Sequence, residues 1–157
     1  IVVPRVAETG LRLILEPGRF IVGQAGILVT KVLYVKQSGP KTFVVTDGGM
    51  TELIRPSHYQ GFHRIEPVIS REEAAREVVD VVGPICETGD FLARDRVLQM
   101  PAQGDLLAVH TAGAYGFVMA SNYNSRRRPA EVVVNGTEVT LARRRETLDD
   151  LLRGEIP

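Results

Sequence analysis

The clearest strand pattern of the sequence lies in AEVVVNGTEVTLARR, where two β-rich runs flank Asn135-Gly136. Valine and threonine favour strands, and Asn-Gly between two such runs is typical of a two-residue type I′ turn. The pattern therefore predicts a β-hairpin in this segment.

Other stretches have the composition of short strands. AGILVTKVLYVKQSGPKTFVVTDGG predicts two strands around the loop QSGPK, and GDLLAVHTAG predicts one strand that ends at glycine. REEAAREVVDVVG begins with helix formers, but REVVDVVG alternates as a strand does, and we favour a strand there. Leu148, Leu151 and Leu152 have helical spacing, with Gly154 and Pro157 as stops.

The first apolar segment, LRLILEPGRF, has the pattern of a strand buried on both faces that ends in a turn at Pro17-Gly18. Together the elements predict a mainly β fold, a barrel or a sandwich with one terminal helix. A chain of 157 residues with 44% hydrophobic residues is large enough for one domain with its own core. We expect the residues before about Ile21 to belong to a different domain.

Charge and cysteine content narrow the function classes. The 19 basic and 19 acidic residues balance, so no overall field favours nucleic acid or an anionic membrane, and no apolar run is long enough to span a bilayer. IVVPRVAETG lacks the order of a signal peptide, and one cysteine fits a reducing cytoplasm. The sequence lacks an initiator methionine and opens within an apolar run, so we expect a piece of a longer protein.

Two stretches offer cationic groups to an anion. In EPGR, Gly18 lets a backbone N–H approach closely and Arg19 presents a planar fork to phosphate or carboxylate. An ordinary Pro-Gly turn with a solvated arginine is the alternative. In TELIRPSHYQ, Arg55 and Tyr59 can share one carboxylate if the stretch is helical. Pro56 favours an extended or turn conformation at Arg55, so a surface loop is the alternative there.

The stretch CETGD joins a thiol to a carboxylate. Cys86 can give or take a proton, and Glu87 can bind a substrate ammonium. A buried cysteine that only fills the core is the alternative. Adjacent strand residues point to opposite sides, so both can face one site only where the backbone bends, as Pro84 and Gly89 allow.

Tyr115 lies between two glycines in AGAYGF, where it offers a ring and a hydroxyl to a ligand, or fills a turn as an aromatic plug. The arginines at 126–128 and 143–145 are interpreted as solvated or salt-bridged, because neutral net charge and the absence of a nucleic-acid fold signature argue against nucleic acid. No metal site is predicted, and the histidines are interpreted as ordinary polar residues: His58, His63 and His110.

In this order, EPGR, LIRPSHY, CETGD and GAYGFVMASNYNSRRRPAEV resemble the C-terminal half of the diaminopimelate decarboxylases, from Leu11 to about Leu152. These are pyridoxal 5'-phosphate enzymes of fold type III, in the alanine-racemase-like superfamily. Ornithine and arginine decarboxylases share EPGR and the cysteine-plus-acid element. They typically have aspartate after the cysteine and lack the Tyr-Asn-Ser-Arg run, so Glu87 favours the diaminopimelate enzymes.

The resemblance implies a domain organisation. Residues 1–20 would be the end of a (β/α)8 barrel that binds the cofactor, with its last strand and the EPGR turn. Residues 21–157 would form a Greek-key-like C-terminal β-barrel or sandwich domain with a terminal helix. A homodimer is implied as well, because Cys86 and Glu87 would complete the site of the neighbouring subunit.

The resemblance also implies contacts with pyridoxal phosphate. Glu16 would keep the pyridine nitrogen protonated, so that the ring acts as an electron sink. Pro17, Gly18 and Arg19 would lie at the phosphate. Tyr115 would contact both the cofactor and the substrate.

For the substrate, meso-2,6-diaminopimelate, the implied contacts divide by charge. Arg55 and Tyr59 would bind the distal carboxylate, and Arg19 would reach the substrate from the phosphate side. Glu87 would pair with the distal ammonium. Cys86 would protonate the reacting carbon after carbon dioxide leaves.

The family holds its cofactor through a lysine of the barrel, whereas Lys31, Lys36 and Lys41 lie in or beside the predicted strands and match no such motif. We therefore expect neither a covalent cofactor nor decarboxylation from this chain alone. Two alternatives stay open from the sequence: a sister decarboxylase of the ornithine or arginine type, and a non-catalytic β-domain for interaction or regulation.

Overall fold

The computed structural model describes residues 2–71 and 73–156. Within them the strands are β1 (Leu28–Ser38), β2 (Lys41–Thr46), β3 (Ile65–Pro67), β4 (Arg76–Val82), β5 (Phe91–Gln99), β6 (Leu106–Val109), β7 (Glu131–Asn135) and β8 (Glu138–Arg143). The α-helices are α1 (Val2–Ala7), α2 (Arg19–Val22), α3 (Arg55–Tyr59) and α4 (Leu148–Leu152). Single 3-10 turns lie at Gly23–Ala25, Phe117–Met119 and Tyr123–Ser125.

Six strands form one sheet in the order β3-β6-β1-β2-β4-β5. Strand β2 pairs with β4 in parallel, and the other neighbours in this sheet pair antiparallel. The edge strands β3 and β5 also contact each other, so the sheet is nearly closed. The predicted mainly β fold is therefore confirmed, and of the two predicted forms it is the barrel. The strands predicted in three stretches are confirmed as well: those around QSGPK, in REVVDVVG and in GDLLAVHTAG.

The interior of this barrel is lined by aliphatic side chains from alternate strand positions, as expected for a closed sheet. Leu53, from the segment between β2 and α3, adds to it. The buried cluster consists of Val32, Val44, Leu53, Ile65, Val79, Val81, Leu92, Ala93, Leu98, Leu107 and Val109. This core fixes the loops at the barrel ends, from which the site residues project.

The predicted hairpin forms a separate two-stranded sheet of β7 and β8. Its turn differs from the prediction. Asn135 pairs with Glu138 as the last strand residue, so the turn is Gly136-Thr137. Of the two, only Gly136 has a positive φ, which is the pattern of type II′ with glycine in first position, whereas type I′ needs positive φ at both.

The strand predicted in LRLILEPGRF is wrong for this structure. No regular element is assigned at residues 11–17, and the side chains of Leu11, Ile14 and Leu15 are 70% exposed or more. A strand needs a neighbour for its backbone hydrogen bonds, and no described strand pairs with this segment. The assignment of residues 1–20 to a barrel end stays a prediction.

The predicted terminal helix is confirmed as α4, which begins after Thr147 in a capping box with Asp150. The predicted stop at Pro157 lies outside the described residues. In the part of the chain that the structure covers, every helix is too short to cross a bilayer, and no cluster of three or more His, Cys, Asp or Glu side chains is arranged to hold a metal ion.

Candidate functional site

The stretch LIRPSHY forms one turn of helix, α3, that begins at Arg55. Pro56 falls in the first turn, where its missing N–H removes no intrahelical bond, so it starts the helix instead of preventing it. Arg55 and Tyr59 therefore lie on one face, with the guanidinium carbon 5.8 Å from the centre of the phenol ring. The surface-loop alternative is wrong for this stretch.

Among the residues that the structure describes, the Arg55 guanidinium has no counter-ion. Its Nε is buried and has no hydrogen-bond partner among the described residues. In the same part of the chain, no carboxylate lies within 4.0 Å of Arg55 or Arg19. Burial lowers the pKa of Arg55, and the charge of Arg19 lowers it further. Two guanidinium groups that influence each other, with no described carboxylate paired to either, favour the binding of an anion.

Tyr115 meets the EPGR turn. The backbone of Gly18 has φ +48°, and a Cβ there would lie 3.2 Å from the Tyr115 hydroxyl oxygen. The tyrosine hydroxyl thus lies against the backbone of the turn, and Arg19, the next residue, is half-buried. Glu16 and Pro17 precede it and are exposed. The structure therefore brings together Gly18, Arg19, Arg55, Tyr59 and Tyr115, which we call the cationic site.

Two backbone hydrogen bonds, accepted by Gly23 and Gly26, hold the segment that leads to Tyr115. The Ala112 amide donates to the Gly26 carbonyl at 2.8 Å, and the Gly113 amide donates to the Gly23 carbonyl at 3.1 Å. The loop that follows is strained, since Tyr115 has φ +58° without being glycine. Such strain persists only where the surroundings enforce it, and it is common at ligand sites.

We expect Gly113→Ala to destabilise the protein by about 1–3 kcal/mol, the range for overpacking, because a Cβ at this position would lie 2.0 Å from the Val22 carbonyl oxygen. Thermal unfolding measures the effect. Gly154→Ala is the matched control, since nothing lies within 4 Å of its Cβ position. Equal unfolding midpoints for the two variants would contradict the packing described.

Cys86 and Glu87 lie in a separate exposed loop between β4 and β5, so the buried-cysteine alternative is wrong. The Tyr123 hydroxyl donates to the Glu87 carboxylate at 3.4 Å. No described hydrogen bond or ion pair joins Cys86 or Glu87 to the cationic site. The sequence-predicted residues thus fall into two groups within one chain.

Asp90, which the sequence analysis did not single out, holds the Cys86–Glu87 loop in place. Its carboxylate is buried and accepts the amides of Met50 and Ile85, each at 2.7 Å. Its own amide donates to the Glu87 carbonyl at 2.9 Å. Because two amides from different segments converge on one carboxylate, the loop is tied to the segment that leads into α3.

The arginines of SNYNSRRRPAE are salt-bridged, as predicted, at two positions. Arg126 forms an ion pair of 3.1 Å with the buried Glu52, and its Nε donates to the Thr51 hydroxyl. Arg128 pairs with Glu146, which also accepts the Arg128 amide at 2.8 Å. Both pairs fasten the segment that carries Tyr123 beside Glu87.

The Glu146 pairing predicts acid sensitivity. Its hydrogen bond with Arg128 is the main cause that lowers the pKa of Glu146 from 4.5 to about 2. A depressed carboxyl pKa contributes stability that is complete above 4.5 and is lost as the pH falls toward 2. The unfolding temperature of Glu146→Gln should therefore fall less over this range than that of the parent. Glu155→Gln, a change at an exposed residue, should follow the parent; identical slopes for all three proteins would contradict the pairing.

Comparisons with known proteins identify the family of this chain. A family model described as pyridoxal-dependent decarboxylase, C-terminal sheet domain, matches residues 19–113. The diaminopimelate decarboxylase of Pseudomonas aeruginosa is 54% identical over 151 residues, which are 96% of this chain and 36% of that protein. The chain spans little more than a third of the length of the curated relatives it matches.

Solved structures give the same result. The diaminopimelate decarboxylase of Helicobacter pylori complexed with L-lysine has a TM-score of 0.85 at 39% identity, over 97% of this chain and 37% of that one. That of M. jannaschii in complex with L-lysine has a TM-score of 0.89 at 38% identity, over 100% of this chain and 37% of that one. The barrel, the relatives and the matched family model agree: this chain belongs to the pyridoxal-dependent decarboxylases and carries their C-terminal sheet domain.

Proposed function

We propose that the chain is the substrate-recognition part of a diaminopimelate decarboxylase, which converts meso-2,6-diaminopimelate to L-lysine and carbon dioxide in the last step of lysine biosynthesis. The observation that carries the proposal is the cationic site, in which no described carboxylate lies within 4.0 Å of the Arg55 or Arg19 guanidinium. A guanidinium fork without a counter-ion favours a ligand that brings a carboxylate or a phosphate. The names of the relatives support the choice of substrate.

The residues present fit pyridoxal phosphate. No described hydrogen bond uses the amides of Gly18 or Arg19, and the Tyr115 hydroxyl lies beside them. A phosphate could therefore accept from two amides, a guanidinium and a phenol. When bound, the cofactor supplies an electron sink for the bond that loses carbon dioxide. The lysine that would hold it covalently is not expected among the three lysines of this chain.

Residues of this chain bind the substrate groups of opposite charge. Arg55 and Tyr59 hold the distal carboxylate, and Glu87 pairs with the distal ammonium, so that only the other end of the substrate reaches the cofactor. Arg19 and Tyr115 orient that reacting end. The Sγ–H of Cys86 gives its proton to the carbon from which carbon dioxide has left. Fixed partners of both charges select a substrate that is a zwitterion at each end.

We further propose a cytoplasmic homodimer in which Cys86 and Glu87 serve the partner's site. This is supported by the exposure of Cys86 and by the absence of described hydrogen bonds between its loop and the cationic site of the same chain. Because a twofold axis repeats both groups, each Cys86–Glu87 loop can complete the site opposite.

The activity of the full-length enzyme on three substrates tests this function. Ornithine and arginine lack the distal carboxylate, so they would leave Arg55 and Tyr59 unpaired. A site built for hydrogen bonds rejects an analogue that lacks them, and we expect kcat/KM for diaminopimelate to exceed the others by about 10³ or more. Comparable values for ornithine would favour the sister decarboxylase, and no turnover of any substrate would favour a non-catalytic domain.

A further inference from the structure

A buried histidine lies beside the cationic site, and none of the roles above uses it. The side chain of His63 is 1% exposed, and its Nδ1 lies 2.8 Å from the carbonyl oxygen of His110. A carbonyl oxygen only accepts, so Nδ1 carries the proton and donates. In the neutral ring Nε2 is then a bare acceptor. This Nε2 is buried and has no partner among the described residues.

The Nε–H of Arg55 is a hydrogen-bond donor, whereas His63 Nε2 is an acceptor. Within residues 2–71 and 73–156, Arg55 Nε and His63 Nε2 are the two buried side-chain polar atoms without a hydrogen-bond partner. Buried polar atoms are nearly always paired, so each of these two requires an explanation. One is a donor and the other is an acceptor.

Backbone contacts bring the segment that leads to His63 against Arg55. The Gly61 amide donates to the Arg55 carbonyl at 3.1 Å, and the Cβ position of Gly61 lies 3.4 Å from the Cβ of Arg55. The chain thus turns back over Arg55 two residues before His63. The charges of Arg55 and Arg19 both act on the imidazole and lower its pKa.

The imidazole is held neutral. Burial is the main cause that lowers the pKa of His63 below 6.5, and three arginines lower it further. One of them, Arg96, stacks 4.0 Å from the centre of the Phe62 ring and donates to the His63 carbonyl at 2.8 Å. A proton on Nε2 would add a fourth cation to this group, so Nε2 stays an acceptor near neutral pH.

We propose that His63 is a positioning residue: its Nε2 accepts a hydrogen bond from the Nε–H of Arg55 when the ligand carboxylate binds. A guanidinium presents its donors in a fixed planar fork. With Nε–H turned to His63, the two Nη groups at the far edge remain for the carboxylate and bind it end-on. The inference rests on the proposed function, because it assumes that Arg55 binds the distal carboxylate.

The test measures ligand affinity in the full-length enzyme by calorimetry. L-lysine is diaminopimelate without the reacting carboxyl group, so it keeps the distal carboxylate. Cadaverine is lysine without that carboxylate. His63→Asn keeps an amide donor for the His110 carbonyl but removes the acceptor at Nε2. We expect lysine to bind about ten-fold more weakly to this variant, which is the size of one hydrogen bond to a charged group, and cadaverine to bind as before.

Two further variants separate positioning from general damage. Arg55→Lys lacks the Nε–H, so His63→Asn should weaken lysine binding no further in that background. His63→Gln restores an acceptor near the position of Nε2 and should recover part of the affinity. In ¹⁵N-histidine spectra of the unmodified enzyme, the unprotonated Nε2 resonance of His63 should move with lysine and not with cadaverine. That measurement remains available if the Asn variant does not fold.

Equal losses for lysine and cadaverine in His63→Asn, or full additivity with Arg55→Lys, would overturn the positioning role. A protonated Nε2 in the lysine complex would do the same. If Arg55→Lys itself leaves lysine affinity unchanged, then the carboxylate role of Arg55 in the proposed function fails. That outcome is distinct from a failure at His63, since it appears without any change to the histidine.

Discussion

Replacing Cys86 with alanine in the full-length enzyme is expected to lower kcat by about 10²–10⁴, the usual contribution of a positioned proton donor. The KM for diaminopimelate should stay within about three-fold, because the thiol acts on the reacting carbon after binding is complete. Because Cys86 is exposed, its thiol can reach a bound substrate. Steady-state kinetics with diaminopimelate measures both constants, and an unchanged kcat would remove the proton-donor role.

Subunit mixing provides the control for this result. A Cys86→Ala subunit and an Arg55→Ala subunit are each expected to be nearly inactive as homodimers. If the two residues serve opposite subunits, a mixed dimer has one intact site, and random reassociation should restore about a quarter of the parent activity. No recovery, despite mixed dimers detected by mass spectrometry, would place both residues in the site of the same subunit.

Replacing Arg55 with alanine should raise the KM for diaminopimelate about 100-fold, because removal of one partner of a desolvated charge pair costs about 2–5 kcal/mol. The guanidinium is half-buried, and burial lowers its pKa. Initial rates over a range of substrate concentrations measure the change. Arg127→Ala is the matched control. Because Arg127 is exposed, this substitution should alter KM by at most about two-fold. An equal effect of the two substitutions would contradict the role of Arg55.

Local patterns were sufficient to predict the barrel strands. The β1–β2 pair, β4 and the β7–β8 hairpin each follow from β-branched residues and a turn signal, and β6 follows from a short apolar run that ends near a glycine. The short strand β3 has only three residues, too few for a period-2 pattern, and β5 contains ARDR among its apolar positions. Their existence depends on neighbours in the sheet that a local pattern does not contain.

In the segment before α2, the local pattern predicted a strand that the structure does not contain. Its apolar run is strong enough to predict a buried strand, but a strand forms only when another pairs with it. In the hairpin, the dipeptide Asn135-Gly136 predicted the correct place but the wrong register. The strand pairing takes Asn135 into β7 and leaves Gly136 as the first turn residue.

In the candidate site, sequence motifs predicted the side chains that can contact a ligand. They did not predict the buried side chains that hold the site together. Arg55 and Tyr59 could be found because their spacing matches a helical turn. Asp90 and His63 could not, since their importance lies in the backbone amides and carbonyl they meet across the fold. A buried polar side chain has no local signature in the sequence, because tertiary packing alone determines its burial.

The ratio of cadaverine to lysine dissociation constants tests most directly whether this chain recognises the distal carboxylate. Calorimetric titration of the parent full-length enzyme should give cadaverine at least about 30-fold weaker than lysine, since only lysine can pair with Arg55 and Tyr59. In Arg55→Ala the ratio should fall close to one, through loss of lysine affinity alone. A ratio that is the same in both proteins would contradict the account.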